Sequence, residues 1–142
     1  MKRKTACLVL LVMLAFTSTT FATNWVFFAK IPNMFQSTST QYIDSDSVFK
    51  DGNKLTYWSL EVLDKPQSHY AKAMMKLEVN LATPSKLRVL ENYSYDPKNL
   101  EVYKETTATT WENARPRYDK EINFALKYAK ERMDSGVKPT IP

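Results

Sequence analysis

Residues 70–81 alternate between inward and outward positions without a break, and this pattern constrains the fold more than any other feature. One set of alternate positions is predicted to face a core: Ala71, Ala73, Met75, Leu77, Val79 and Leu81. The other set is predicted to face away from it: Tyr70, Lys72, Met74, Lys76, Glu78 and Asn80. Because successive side chains of a strand point to opposite faces, the pattern is typical of an antiparallel sheet with one buried face. A returning strand is expected to place further inward side chains on the same face: Leu87, Val89, Tyr93 and Tyr95, with Glu91 as the exception.

Shorter strand patterns lie on both sides of this pair. They cover residues 25–29, 41–43, 48–50, 54–63 and 100–106. The Asp51-Gly52-Asn53 run separates two of them, and Asp-Gly between β-rich segments is a strong hairpin signal. The chain is therefore predicted to form a sheet of about six antiparallel strands.

The last element has a helical period. Apolar residues recur at spacings of three and four from residue 117 to 134: Tyr118, Ile122, Ala125, Ala129 and Met133. Pro116 suits the first helical turn and Gly136 suits a left-handed stop. A helix with one apolar stripe after a run of strands should pack on the sheet, so the predicted fold class is α+β, with a C-terminal helix on a single antiparallel sheet.

The first 22 residues have the pattern of a secretory signal peptide. Three basic residues follow Met1, an apolar run covers residues 8–16, and small residues precede a cleavage point between Ala22 and Thr23. The apolar run is too short for a transmembrane segment, which needs roughly 20 residues. We therefore expect an exported protein with a signal peptide at 1–22 and a single domain at 23–142.

The net charge bears on whether the protein binds nucleic acid, and the cysteine content bears on disulfides and lipid anchoring. Without the three basic residues of the signal, 17 Lys and Arg remain against 15 Asp and Glu, a net charge of about +2 that gives no reason to expect nucleic acid. Cys7 is the only cysteine and lies inside the signal. The mature domain is thus expected to have no disulfide and no lipid-anchor cysteine at the cleavage site, and to reside in the periplasm, on the cell surface or in the medium.

No catalytic or metal-binding motif is recognisable in the mature domain. His69 is its only histidine, which excludes paired-histidine motifs. Asp44 and Asp46 could bind calcium, although neighbouring serines favour a turn. A hydrolase would need clustered carboxylates with raised pKa values. The sequence therefore predicts a protein that is not an enzyme and holds no cofactor or metal.

Several short motifs, taken in order, resemble the surface-adhesin protein E family. They are Trp25-Val26 after the signal, Tyr42-Ile43-Asp44, Ser47-Val48, Gly52-Asn53, Tyr57-Trp58, Glu78, the run Tyr93-Ser94-Tyr95-Asp96, and Trp111. The resemblance covers the whole mature chain and implies a small exported bacterial domain with an antiparallel sheet and a C-terminal helix. It also implies a surface protein that adheres to host matrix components. Many relatives carry one cysteine near the position of Leu81 and another in the last helix, and this chain has neither.

The aromatic residues indicate where a partner could bind. The mature domain carries 16 aromatic side chains, most of them on predicted inner faces. Side chains that could instead contact a protein partner are Phe27, Phe28, Met34, Phe35 and Tyr103. The predicted function is a non-enzymatic exported binding protein that contacts host matrix or other envelope proteins. The alternative is a soluble periplasmic module that binds a small ligand or assists another envelope protein. An open sheet edge would also allow a homodimer.

Overall fold

The computed structural model describes residues 23–33, 36–130 and 138–142. Within these ranges the chain forms eight strands and one α-helix. The strands are β1 Trp25–Pro32, β2 Thr38–Asp44, β3 Phe49–Asp51, β4 Lys54–Gln67, β5 Tyr70–Asn80, β6 Lys86–Tyr95, β7 Glu101–Glu105 and β8 Glu112–Asn113. The helix α1 is Pro116–Leu126, and a 3₁₀ turn covers Ser45–Ser47. The predicted signal with Ala22, the loop residues Met34 and Phe35, and Gly136 lie outside the described residues.

The strands form one antiparallel sheet in the order β1-β2-β4-β5-β6-β7. β3 pairs with β4 beyond the end of β2, and β8 pairs with β6 beyond the end of β7. The α+β class is therefore confirmed, whereas the expected number of about six strands is too low. The sheet has six strand positions, and two of them are each divided into two short strands.

The 3₁₀ turn is the reason that β2 and β3 are separate strands. Asp44 Oδ1 accepts hydrogen bonds from the backbone N–H groups of Asn24 (2.9 Å) and Asp46 (3.3 Å). Ser47 Oγ donates to the Asp44 carbonyl (2.8 Å) and accepts from the Trp58 N–H (2.9 Å). These side chains replace ladder hydrogen bonds with local ones, so the strand is interrupted here.

The predicted hairpin at Gly52 is confirmed. Gly52 and Asn53 connect β3 to β4, and Gly52 has φ +54°. This left-handed backbone conformation is the one that glycine adopts without steric cost.

Both faces of the sheet carry a buried cluster, which differs from the single buried face that the sequence predicts. On the helix side, buried side chains of the sheet pack with Ile122 and Ala125 of α1: Ile43, Val48, Leu55, Tyr57, Leu77, Val79 and Leu87. The opposite side, here called the aromatic face, buries Trp58, Leu60, Met74, Tyr93 and Tyr95. Met74, which is predicted to point outward, is thus fully buried.

The inward and outward positions along β6 differ from the predicted ones because β6 has a β-bulge at Leu90. Val89 pairs with Leu77, but Glu91 pairs with Lys76, so Leu90 has no partner in the ladder. The extra residue reverses the alternation. Leu87 and Val89, before the bulge, therefore face α1, whereas Tyr93 and Tyr95, after it, lie on the aromatic face, which explains why Glu91 does not fit a continuous pattern.

The helix also ends earlier than residue 134. It stops at Leu126, and Lys130 then forms a parallel bridge with Phe49 of β3. The N–H of Lys130 donates to the Val48 carbonyl (3.1 Å), and its carbonyl accepts from the Lys50 N–H (3.0 Å). Pairing with the sheet therefore takes the chain out of the helix. Within the described ranges, no helix has the length and apolar character needed to cross a membrane.

Candidate functional site

The large apolar side chains that remain strongly exposed lie at the two edges of the sheet. Among the described residues they are Leu100 (61% exposed), Phe27 (54%), Val102 (50%), Tyr103 (50%) and Trp111 (41%). Four of the five lie in or directly before β7 and β8. We call this region, with Leu100, Val102, Tyr103 and Trp111, the β7–β8 edge.

Strand β7 is open on its outer side. It pairs only with β6 among the described strands, and all five of its residues are exposed. Tyr103 pairs with Ser94 and Glu101 with Tyr95, which leaves Val102 as a bulge. The outer N–H and C=O groups can accept a further strand, while the bulge and the charged residues of β7 limit uncontrolled pairing.

A partly buried ion pair lies next to Trp111 and holds its ring in place. Glu78 is 6% exposed, and its Oε1 accepts from Nη2 (2.7 Å) and Nε (2.8 Å) of Arg88. The Arg88 guanidinium in turn lies 4.6 Å from the centroid of the Trp111 ring. Lys54 adds a longer contact to Glu78 at 3.7 Å. Trp111 is therefore exposed but held in place by a cation–π contact.

The opposite edge contains the other predicted aromatic residues. Phe27 is exposed and meets the ring of Tyr42 edge-on, with centroids 6.3 Å apart. Phe28 occupies a bulge in β1, and its ring lies 5.2 Å from that of Phe124 on α1. Of the sequence-predicted contact residues, Phe27 and Tyr103 are thus exposed at different edges, and Phe28 contacts the helix. Met34 and Phe35 lie outside the described residues.

A separate cleft of about 470 Å³ lies on the helix side of the sheet, near the start of α1. Its lining combines an apolar wall with ionisable groups: Ile31, Pro32, Asn33, Glu61, Leu63, Tyr70 and Arg117. This volume falls within the range of small-molecule sites, roughly 300–1,000 Å³. The cleft therefore has the size and the mixed lining of a site for a small ligand.

Glu61 and Tyr70 are two ionisable side chains of the cleft lining. Ser39 Oγ donates to Glu61 Oε1 in the wall of the cleft. Burial, together with the charge of Glu61, raises the pKa of Tyr70 to about 12, so this phenol stays protonated near neutral pH. Glu61 therefore presents a carboxylate and Tyr70 a hydroxyl to the cleft.

Glu121 lies on the buried side of α1 and has a strongly shifted pKa. Its pKa is raised to about 7, mainly because it is buried; the nearby charge of Glu61 adds to the rise. A hydrogen bond from the Tyr57 hydroxyl (3.1 Å) and the charge of Arg117 oppose it. Glu121 is not part of the cleft lining, but the lining residues Glu61 and Arg117 are close enough for their charges to influence its pKa.

The other residues that the sequence analysis considered as catalytic or metal-binding candidates are Asp44 and His69. Asp44 caps the 3₁₀ turn, which favours the turn interpretation over a calcium site. His69 is exposed in the tight connection between β4 and β5. Within the part of the chain that the structure describes, no group of three or more His, Cys, Asp or Glu side chains is placed to hold a metal ion.

Sequence reasoning missed several of these residues. The apolar character of Leu100 and Val102 was visible, but nothing in their spacing indicated exposure. Glu61 and Glu121 are 60 positions apart, and only the packing of α1 on β4 brings them into one region. A glutamate within an apolar helix stripe was the one signal that could have drawn attention to Glu121.

Comparison with protein-family models, with curated proteins and with solved structures gives no match for this chain.

Proposed function

We propose that this chain is an exported, non-enzymatic binding protein that contacts a protein partner through the β7–β8 edge. The observation that carries the proposal is the concentration of exposed apolar side chains along a strand that, among the described strands, has a neighbour on one side only. The signal-peptide pattern and the resemblance to the surface-adhesin protein E family support the same assignment. Host matrix proteins and other envelope proteins are the partners that this resemblance implies.

The mode of binding follows from the chemistry of the edge. A strand of the partner adds to β7 through backbone hydrogen bonds, and Tyr103 and Trp111 supply aromatic anchors. Tyr and Trp are enriched among the residues that contribute most to binding energy. Because Trp111 is already positioned by Arg88, little conformational entropy is lost when it becomes buried.

The test uses matched charge substitutions at the two edges. Tyr103→Lys places a cation on the β7–β8 edge, and Phe27→Lys does the same on β1. Both side chains are about half exposed, so both variants should fold. Surface plasmon resonance against a panel of purified host matrix and envelope proteins measures binding. The proposal requires that a partner bound by the wild type loses at least tenfold in affinity with Tyr103→Lys and is unaffected by Phe27→Lys.

Two further measurements separate the versions of this proposal. Light scattering over a range of concentrations detects a homodimer, which Tyr103→Lys should abolish if β7 pairs with its own copy. Protease treatment of intact cells, with a periplasmic marker as control, distinguishes the cell surface from the periplasm. Digestion of this protein while the marker survives supports the adhesin version. Survival until the outer membrane is opened favours an envelope partner.

The cleft favours a second candidate, a periplasmic module that binds a small ligand. Its carboxylate, hydroxyl and guanidinium groups converge on an apolar wall formed by Ile31 and Leu63. Screening a library of small polar compounds by thermal shift tests this candidate. Hits should be lost with Glu61→Gln and retained with Glu112→Gln, which changes an exposed glutamate on β8, a strand that contributes no residue to the cleft lining.

A further inference from the structure

Residues 138–142, with the sequence Lys-Pro-Thr-Ile-Pro, lie against the aromatic face. Two prolines spaced three apart favour the polyproline II conformation, which has no internal hydrogen bonds. Such segments are commonly bound in grooves lined by aromatic side chains. The contacts of this segment follow that mode of recognition residue by residue.

The first contact is made by the cation. Lys138 Nζ lies 3.7 Å from the ring centroid of Tyr93 and 5.4 Å from that of Tyr95. The same atom forms an ion pair with Glu101 Oε2 at 3.2 Å. Two aromatic rings and one carboxylate thus form a pocket selective for a basic side chain.

The backbone of the segment is bound by side chains of the domain. Trp25 Nε1 donates to the Thr140 carbonyl (2.8 Å), and the Thr140 N–H donates to Thr23 Oγ1 (3.1 Å). Lys72 Nζ donates to the main-chain oxygen of Pro142 (2.6 Å). An indole N–H on a peptide carbonyl is a frequent way of binding a segment that lacks internal hydrogen bonds, because the backbone must otherwise stay hydrated.

Apolar contacts complete the site. Pro139 is buried, and Ile141 packs against the aromatic cluster that contains Trp58. The indole N–H of Trp58 is itself buried without an acceptor among the described residues.

From these contacts we infer that the aromatic face is a peptide-binding site, and that a partner segment of the type Lys-Pro-x-aliphatic-Pro exchanges with the chain's own residues 138–142. The cation is selected by Tyr93 and Glu101, and the second anchor is the aliphatic side chain that takes the place of Ile141. Glu101 belongs to β7 and so adjoins the β7–β8 edge, but the other contacts of this site lie on the aromatic face, and the inference does not depend on the proposed function.

Competition with the chain's own segment sets the expected affinities. A segment joined to the domain has an effective concentration in the millimolar range, so a free peptide should bind the wild type weakly. Ile141→Ser removes the apolar anchor of the resident segment without changing the face. Its affinity for a free peptide should therefore be at least about tenfold higher than that of the wild type.

The experiment measures fluorescence anisotropy of a labelled Lys-Pro-Thr-Ile-Pro peptide with the full mature chain. Wild type, Ile141→Ser, and Ile141→Ser combined with Glu101→Lys are compared, and circular dichroism confirms that each is folded. Tighter binding to Ile141→Ser, lost with Glu101→Lys or with a peptide carrying Glu for Lys, is the expected result. Tyr103→Lys in the same background should keep peptide binding, which separates this site from the β7–β8 edge.

Two results would overturn the inference. The first is no saturable binding of the peptide to folded Ile141→Ser at millimolar peptide. The second is a dimer that forms with increasing protein concentration and persists at saturating peptide, because the face would then bind the segment of a second copy instead of a partner peptide.

Discussion

The Tyr57 hydroxyl donates to Glu121 Oε1 at 3.1 Å and thereby joins the central strand β4 to α1 through a buried hydrogen bond. Both side chains lie within the helix-side core, where an ionised carboxylate is poorly solvated. Burial also raises the pKa of the Tyr57 phenol well above its usual value, so Tyr57 remains the donor over the physiological range. Stability should consequently depend on the protonation state of Glu121.

The first prediction concerns stability as a function of pH. The pKa of Glu121 is raised from 4.5 to about 7 in the folded chain. Protonated Glu121 is favoured in the native state, so its contribution is fully present below about pH 4.5 and is lost as the pH rises to about 7. Relative to Glu121→Gln, the wild type should lose on the order of 3 kcal/mol across this range. Urea unfolding at pH 4.5, 6 and 8 measures the difference, and Glu112→Gln, at an exposed position, is the control. Parallel pH curves for wild type and Glu121→Gln would contradict the assignment.

The second prediction isolates the hydrogen bond. The Tyr57 hydroxyl lowers the pKa of Glu121 because it stabilises the carboxylate. Tyr57→Phe keeps the ring and removes the donor, so the pKa of Glu121 should rise above about 7. Stability at pH 8 should fall by about 1–3 kcal/mol, since a buried acceptor loses its partner. NMR titration of the Glu121 side-chain carboxyl carbon gives the pKa directly. A downward shift of this pKa would show that the Tyr57 hydroxyl does not stabilise the ionised carboxylate.

The third prediction concerns the β3–β4 turn. A Cβ added at Gly52 would meet no heavy atom within 4 Å, so the only cost of a side chain there is the backbone conformation at φ +54°. Gly52→Ala should therefore lower the free energy of unfolding by about 1 kcal/mol. Gly52→Asn should cost clearly less, because asparagine adopts the left-handed region more readily. Thermal unfolding of both variants orders them, and equal losses would point to a contact instead of backbone strain.

Local patterns in the sequence predict much of this fold. The alternation over residues 70–81 corresponds to β5 and the Asp-Gly pair to the β3–β4 turn, because both depend on neighbouring residues only. The two covered faces were harder to foresee. Met74 is fully buried because the aromatic cluster lies on the side of the sheet away from α1, and no local periodicity indicates that a second layer exists.

Features that depend on distant partners could not be predicted. The bulge at Leu90 is defined by the register against β5, and the end of α1 by hydrogen bonds between Lys130 and β3. The cleft also depends on residues that are distant in the sequence, because its lining residues Glu61 and Arg117 come from β4 and α1. A single sequence indicates which residues form a strand or a helix, but the sites arise where these elements meet.

The last prediction tests how the domain holds the β7–β8 edge in place. Glu78 is buried and pairs with Arg88, whose guanidinium stacks on Trp111. Glu78→Gln removes the charge and leaves Arg88 partly buried without its counter-ion, so the free energy of unfolding should fall by about 3 kcal/mol. Lys54→Gln, which removes the longer and more exposed contact to the same carboxylate, should cost less than about 1 kcal/mol.

Chemical denaturation measures both losses, and the indole N–H resonance of Trp111 in NMR spectra reports its surroundings. We expect this resonance to move toward the position of a solvent-exposed indole in Glu78→Gln and to stay unchanged in Lys54→Gln. If Glu78→Gln destabilised the domain but left the Trp111 resonance in place, the ion pair would stabilise the sheet without positioning the edge. Arg88 would then not be the residue that prepares Trp111 for a partner.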